Sequence, residues 1–334
     1  MWRQVRFGRQ LEMTGLEERP ERGRENLPLV VTLSGLGQAM SEKNYLFSQL
    51  RKRLADRRQW VVQFDYRGHG DSQGELGEVS LSTMVADTLQ VLHELTRQTT
   101  PPAIYLVGHA LGAVVALQVT SIWNSRTGAD TSVETTSHPS PTSGPSLAIP
   151  VLISPPPLER ADVYALFPPD ALKKAETVGA IDARELIPGE DYYTFSDLDA
   201  DQVQVIQQLG AHLLYLHGQR ISSTMIHDWA QLNMQALYEA QRVPIHLLHG
   251  VEDEVSSALT THVQADIRLC PFQPGRNFYH HPAAMDDLIR KLCNLIVPQK
   301  ACQGTCTRCR CETYTRQANE RIGRKQDDHV NAEG

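Results

Sequence analysis

Apolar and polar positions along the chain alternate between two kinds of run. Short apolar-rich stretches, Leu27 to Leu33, Trp60 to Phe64, Ala103 to Val107, Ile149 to Ser154 and Ile245 to His249, have the length of buried strands. Between them apolar residues recur every three or four positions. Leu46, Leu50 and Leu54 predict one helix; Val85, Leu89, Leu92 and Leu95 predict another; Leu111 to Val119 predicts a third. Residues 283 to 297 close the pattern with Met285, Leu288, Leu292, Leu295 and Ile296 on one face. Strands alternating with helices predict an α/β fold, a mostly parallel sheet covered by helices on both faces. Two short alternations at the start, Trp2 to Phe7 and Leu11 to Leu16, predict an antiparallel edge hairpin within a segment of residues 1–26.

Two stretches interrupt this rhythm. Residues 121–147, rich in Ser, Thr, Pro and Gly, bury too little to offset their ordering entropy and are expected to be a disordered insertion loop. From 157 to 241 the pattern turns amphipathic and helical, which predicts a helical cap inserted between core segments 27–156 and 242–298. The polar tail, residues 299–334, has no periodicity and is expected to be disordered.

Composition adds constraints. The 334 residues carry a net charge of −7, which argues against a dedicated nucleic-acid binder. No run reaches the length of a membrane span and no signal peptide is visible, so a cytoplasmic setting is expected. Four of the six cysteines, Cys302, Cys306, Cys309 and Cys311, crowd the tail. They are weak metal candidates, too tightly spaced for two separated zinc-finger pairs, and no metal or other cofactor is expected.

The candidate chemistry lies at the strand ends. Val107-Gly108-His109-Ala110-Leu111-Gly112 joins a strand to a helix through a glycine-flanked turn, the setting of a nucleophile elbow, G-x-S-x-G. Its central residue is Ala110, and a methyl group cannot attack a carbonyl. Ser34-Gly35-Leu36-Gly37 follows the strand ending at Leu33, Asp65 to Ser72 reads D-x-R-G-x-G-x-S, and His249-Gly250-Val251-Glu252-Asp253 ends another strand.

Together these residues resemble the α/β-hydrolase superfamily, in particular its capped esterase and lipase-like branch, over roughly 27–120 and 148–297. The resemblance implies an oxyanion loop at Ser34 to Gly37, with backbone donors at Leu36 and Leu111, a pocket lined by Gly35 and His109, and an acid at Asp253. The catalytic histidine position falls on Arg276, in Gly275-Arg276 ahead of Pro282, with His280 and His281 as candidate substitutes. Nucleophile and base positions are therefore both degenerate. An engineered serine knockout would leave the histidine motif standing, so the double loss favours a natural state, with an engineered serine-to-alanine change kept as the alternative.

A serine hydrolase needs nucleophile, base, orienting carboxylate and oxyanion donors. Here the backbone donors and Asp253 remain. The leading expectation is a non-catalytic or unconventional binder of a small apolar or acyl ligand, or of a protein partner. The alternatives are a serine-type ester or thioester hydrolase in inactive form, and an acid–base enzyme of cyclase, isomerase or lyase type that reuses the oxyanion donors.

Overall fold

The computed structural model describes residues 2–20, 27–97, 99–127, 146–158, 162–186, 209, 219–251, 262–275 and 281–297. Among the described residues, eight strands form one sheet: β1 (Trp2–Phe7), β2 (Met13–Glu18), β3 (Leu29–Leu33), β4 (Trp60–Phe64), β5 (Ala103–His109), β6 (Leu147–Ile153), β9 (Ile245–Gly250) and β10 (Ile267–Phe272). Their order across the sheet is β1-β2-β4-β3-β5-β6-β9-β10. β1–β2 and β2–β4 pair antiparallel, and every other neighbouring pair is parallel. The crossover from β3 to β4, with β5 on the far side of β3, brings the carboxyl ends of β3 and β5 side by side.

The two faces are read out by alternation along each strand. Leu29, Val31, Leu33, Trp60, Val62, Phe64, Ile104 and Leu106 face one core, which they share with α2 (Leu81–Thr96) and α3 (Leu111–Thr127). Val30, Val61, Val107, Val151, Ile153 and Leu248 face the other. There α1 (Leu46–Asp56) brings Leu46, Phe47, Leu50 and Leu54 against Met285, Leu288, Leu292 and Ile296 of the last helix, Pro282–Ile296. That two-sided burial is why the inner strands read as apolar-rich runs. α2 begins on a capping box, in which Ser80 Oγ accepts from the Thr83 amide and Thr83 Oγ1 accepts from the Ser80 amide. Among the described residues no helix is long and apolar enough to cross a membrane.

Four expectations need correction. The predicted insertion, 121–147, begins too early: α3 runs on to Thr127, and β6 starts at Leu147. The reason is burial at the neck. Trp123 Nε1 donates to the Ser146 carbonyl at 2.9 Å, and Asn124 pairs with both the amide and the carbonyl of Ala148. Residues 128–145 lie outside the described residues. The cap is not purely helical. It holds α4 (Val163–Leu166), α5 (Pro169–Val178), α6 (Ala183–Leu186), α7 (Ser223–Gln231) and α8 (Met234–Glu239), and also an antiparallel pair, β7 (Ala180–Asp182) with β8 (Arg220–Ser222). Three-residue strands are too short to show a period. The second edge strand is shifted to Met13–Glu18, because the Leu11 amide closes a turn onto the Gly8 carbonyl at φ 59°. The sequence reading omitted β10, an edge strand whose Arg268 and Pro271 interrupt its apolar run.

Candidate functional site at the elbow

The elbow is built by sterics. Ala110 has φ 52°, a left-handed conformation, and its amide donates to the Ile153 carbonyl of the adjoining strand at 3.0 Å. A Cβ on Gly108 would lie 2.2 Å from the Gly112 carbonyl oxygen, and one on Gly112 would lie 2.0 Å from the Leu33 carbonyl oxygen. Both positions therefore require glycine. The turn presses α3 onto the end of β3, and a Cβ placed on Gly35 would stand 3.6 Å from the Ala110 Cβ. The loop after β3 thus comes into van der Waals reach of residue 110 at Gly35.

That loop is fixed by five hydrogen bonds. The Gln38 amide donates to the Gly35 carbonyl at 3.2 Å, and Ser34 Oγ donates to the Gln38 carbonyl at 3.1 Å. The Met40 amide donates to Asp65 Oδ1 at 2.6 Å, and Gln63 Nε2 donates to the Met40 carbonyl at 3.0 Å. The Gly35 amide donates to Glu42 Oε2 at 2.8 Å. Among the described residues, no hydrogen bond engages the amides of Leu36 and Leu111. Leu111 opens α3, where unsatisfied amides and the helix dipole favour negative charge.

The Asp65–Ser72 turn acts as a brace. Asp65 Oδ2 accepts from the Asp71 amide at 3.0 Å, and Ser72 Oγ donates to the Asp65 carbonyl at 2.7 Å. A Cβ on Gly70 would fall 2.3 Å from Asp65 Oδ2, so the carboxylate fills the space the glycine leaves. Burial pushes the Asp65 carboxyl up despite its two amide donors. Arg67 holds Asp87 through Nε and its own amide, tying the turn to α2.

Sequence reasoning missed Glu42. Its side chain is 1% exposed, and its Oε1 lies 3.2 Å from Nδ1 of His109, itself 3% exposed. Burial alone would raise the Glu42 carboxyl. His109 and the amides of Lys43 and Gly35 outweigh that effect and hold it below the ordinary 4.5. A carboxyl held low in the fold stabilises it above the unfolded value and loses that contribution as pH falls through the folded one. Glu42 sits at φ 59°, ψ 172°, a region populated almost only by glycine, at a cost of about 1–3 kcal/mol. The one sequence signal was an acidic residue just ahead of α1.

The strand register places the end of β9 relative to the elbow. His109 pairs with Ile153, and Ile153 with Leu248, so the loop leaving β9 emerges two strands from the elbow, about 10 Å away. His249 at the end of β9 is buried and contacts the Gly250 carbonyl through Nδ1 at 2.9 Å. Asp253, Arg276 and His280 lie outside the described residues, as do Cys302, Cys306, Cys309 and Cys311. His281 is the N-cap of the last helix, and its Nδ1 accepts from the Ala283 amide at 3.1 Å. That nitrogen is thus engaged as an acceptor and is not offered as a donor to a carboxylate, which a triad histidine requires. Among the described residues no group of three or more His, Cys, Asp or Glu side chains could hold a metal ion.

Comparison with known proteins agrees with this architecture. Residues 25–131, about a third of the chain, match the sequence profile of the family described as serine aminopeptidase, S33. That span runs from the strand before the Gly35 loop through the elbow helix. A curated relative, protein phosphatase methylesterase 1 of Candida albicans, is 32% identical over 79 residues, 24% of this chain and 22% of that protein. The chain therefore matches about a fifth of that relative's length. Among solved structures, a putative hydrolase from Agrobacterium vitis S4 superposes with a TM-score of 0.58 at 17% identity, over 89% of this chain and 98% of that one. Alpha/beta hydrolase domain-containing protein 10 from mouse gives 0.54 at 18% identity over 88% and 98%. A monoacylglycerol lipase from Paleococcus ferrophilus gives 0.53 at 19% over 85% and 98%. The fold is the α/β-hydrolase fold.

Proposed function

We propose that this chain uses the α/β-hydrolase fold to hold a small apolar ligand bearing a carbonyl or carboxylate, without cleaving it. The observation that carries the reading is Ala110: a methyl group stands on an elbow whose every steric requirement is otherwise met. The Leu36 and Leu111 amides supply hydrogen-bond donors, and the start of α3 favours an anionic head group. Without nucleophile and base, such donors sustain only about 10³–10⁴ over water, well short of the roughly 10⁶ at which enzymatic acceleration begins. Arg276 at the base position of the resemblance argues in the same direction.

A second reading is favoured by the retention of Gly108, Gly112, the braced Gly35 loop and the Asp65 turn: a carboxylic-ester hydrolase, as the methylesterase match suggests, carrying alanine for serine. One experiment separates the two. Wild type and Ala110→Ser are incubated with a fluorophosphonate probe and a panel of p-nitrophenyl esters, and decanoate binding is measured by calorimetry. Wild type should bind decanoate saturably, and neither protein should be labelled or turn over esters. Stoichiometric labelling with turnover by wild type overturns the proposal. Activity appearing only in Ala110→Ser transfers the conclusion to the hydrolase reading.

A further inference from the structure

We infer that Glu42 and His109 form a buried clamp that anchors Gly35 above the elbow and so, together with the Gln38 amide, places the Leu36 N–H, which makes Glu42 a positioning residue for the carbonyl or carboxylate received there. The inference deepens the proposed ligand-binding reading, and its ligand arm rests on that reading.

Three observations converge. First, one carboxylate joins three pieces of chain. It accepts the Gly35 amide at 2.8 Å and the Lys43 amide at 2.8 Å, and it meets His109 Nδ1 at 3.2 Å. His109 precedes Ala110, so the clamp ties the loop to the residue beside the elbow.

Second, Gly35 is held through both of its peptides. Its amide, in the Ser34–Gly35 peptide, donates to Glu42, while its carbonyl, in the Gly35–Leu36 peptide, accepts from the Gln38 amide at 3.2 Å. In a trans peptide the Leu36 N–H points opposite to the Gly35 carbonyl. Fixing that carbonyl on the Gln38 side therefore fixes the direction of the Leu36 N–H. A Cβ built on Gly35 would lie 3.6 Å from Ala110 Cβ, 3.7 Å from the His109 carbonyl and 3.8 Å from Glu42 Oε2. Loop, elbow and carboxylate thus meet around one small residue.

Third, Glu42 stands where glycine would be relaxed. Its φ of 59° with ψ of 172° burdens any residue with a Cβ. A glutamate held there against local preference is explained by what its side chain does.

Glu42→Gly and Glu42→Gln test the clamp. Each is followed by thermal melting, by ¹⁵N–¹H spectra of Gly35 and Leu36, by the ring nitrogen signals of His109, and by decanoate affinity. Glu42→Gly relieves the backbone and should fold. Glu42→Gln keeps the shape and removes the charge, so it answers the question if the glycine variant does not fold. The Gly35 amide proton should move upfield in both variants, the His109 nitrogens should shift, and decanoate affinity should fall by at least about tenfold in Glu42→Gly. A merely structural role would lower the melting temperature and leave the native-state resonances and affinity of the folded variant as in wild type; that result overturns the clamp. If wild type binds no decanoate, the ligand reading falls, and the Gly35, Leu36 and His109 signals still decide the clamp.

Discussion

Alanine at position 112 leaves no folded protein. The added Cβ would sit 2.0 Å from the Leu33 carbonyl oxygen, 2.7 Å from the Leu33 carbonyl carbon and 2.7 Å from the Ser34 carbonyl oxygen. All three are backbone atoms, so no rotamer change relieves the clash. β3 cannot retreat, because it is hydrogen-bonded to β4 on one side and β5 on the other. The helix cannot retreat either, because Val114, Val115 and Leu117 are fully buried in the core beneath it. Overpacking of this kind costs about 4 kcal/mol or more, comparable to a whole domain's margin of about 5–15 kcal/mol. Soluble yield and a circular-dichroism melt check the result. Two controls calibrate it. Gly179→Ala meets nothing within 4 Å and bears only the strain of φ 86°, so it should lose about 1 kcal/mol. Gly35→Ala finds its nearest neighbour at 3.6 Å and should fold. A cooperative native melt for Gly112→Ala would mean that the elbow is not packed as described.

The protein should also lose stability as the medium is acidified from neutral, with His69 a principal cause. Burial holds this imidazole down, from the ordinary 6.5 to about 4. Its surroundings are the Tyr66 ring in an edge contact at 5.4 Å and the Arg67 carbonyl, 3.3 Å from Nδ1, with the charge of Glu42 acting in the opposing direction. The folded protein keeps His69 neutral while the unfolded chain takes up a proton below about 6.5. Its contribution is therefore complete above that pH and drains away as the pH falls towards 4. Over that window the loss reaches about 3 kcal/mol. His246, also held near 4 by burial and by Arg268, adds a second decline of the same sign. Urea melts at half-unit steps from pH 7 to 4 measure the slope. In His69→Gln the slope should flatten by the share of one proton and leave that of His246. If the variant and wild type run parallel, the histidine is not shielded as the structure has it.

The core strands and helices were legible because their signal is local. Each inner strand shows its two-sided burial as an apolar run, and each helix shows its face in leucines four apart, as at Leu46, Leu50 and Leu54. The elbow was legible because Gly108 and Gly112 are fixed by steric demands only glycine meets. Other features arise from contacts distant in sequence. Nothing near Trp123 or Asn124 announces that they bond residues 23 and 24 positions onward, so the helix end was placed too early. β7 and β8 pair across 40 residues with three positions each. Glu42 belongs to no motif, and its partner His109 stands on another strand's end. His281, read as a candidate base, resembles a catalytic residue in type, but its position ahead of Pro282 made it a helix cap. The expectations for Asp253, Arg276 and His280 rest on the resemblance, outside the described residues.

The neck between α3 and β6 has a practical corollary. With Trp123 joined to Ser146 and Asn124 to Ala148, the entry and exit of the intervening stretch are stitched together on the body of the domain. Lengthening a tether whose ends are already held is inexpensive, about 0.6 kcal/mol for each doubling. The neck is thus a natural port for a reporter or epitope, at the start of β6, whose other end lies beside the elbow end of β5.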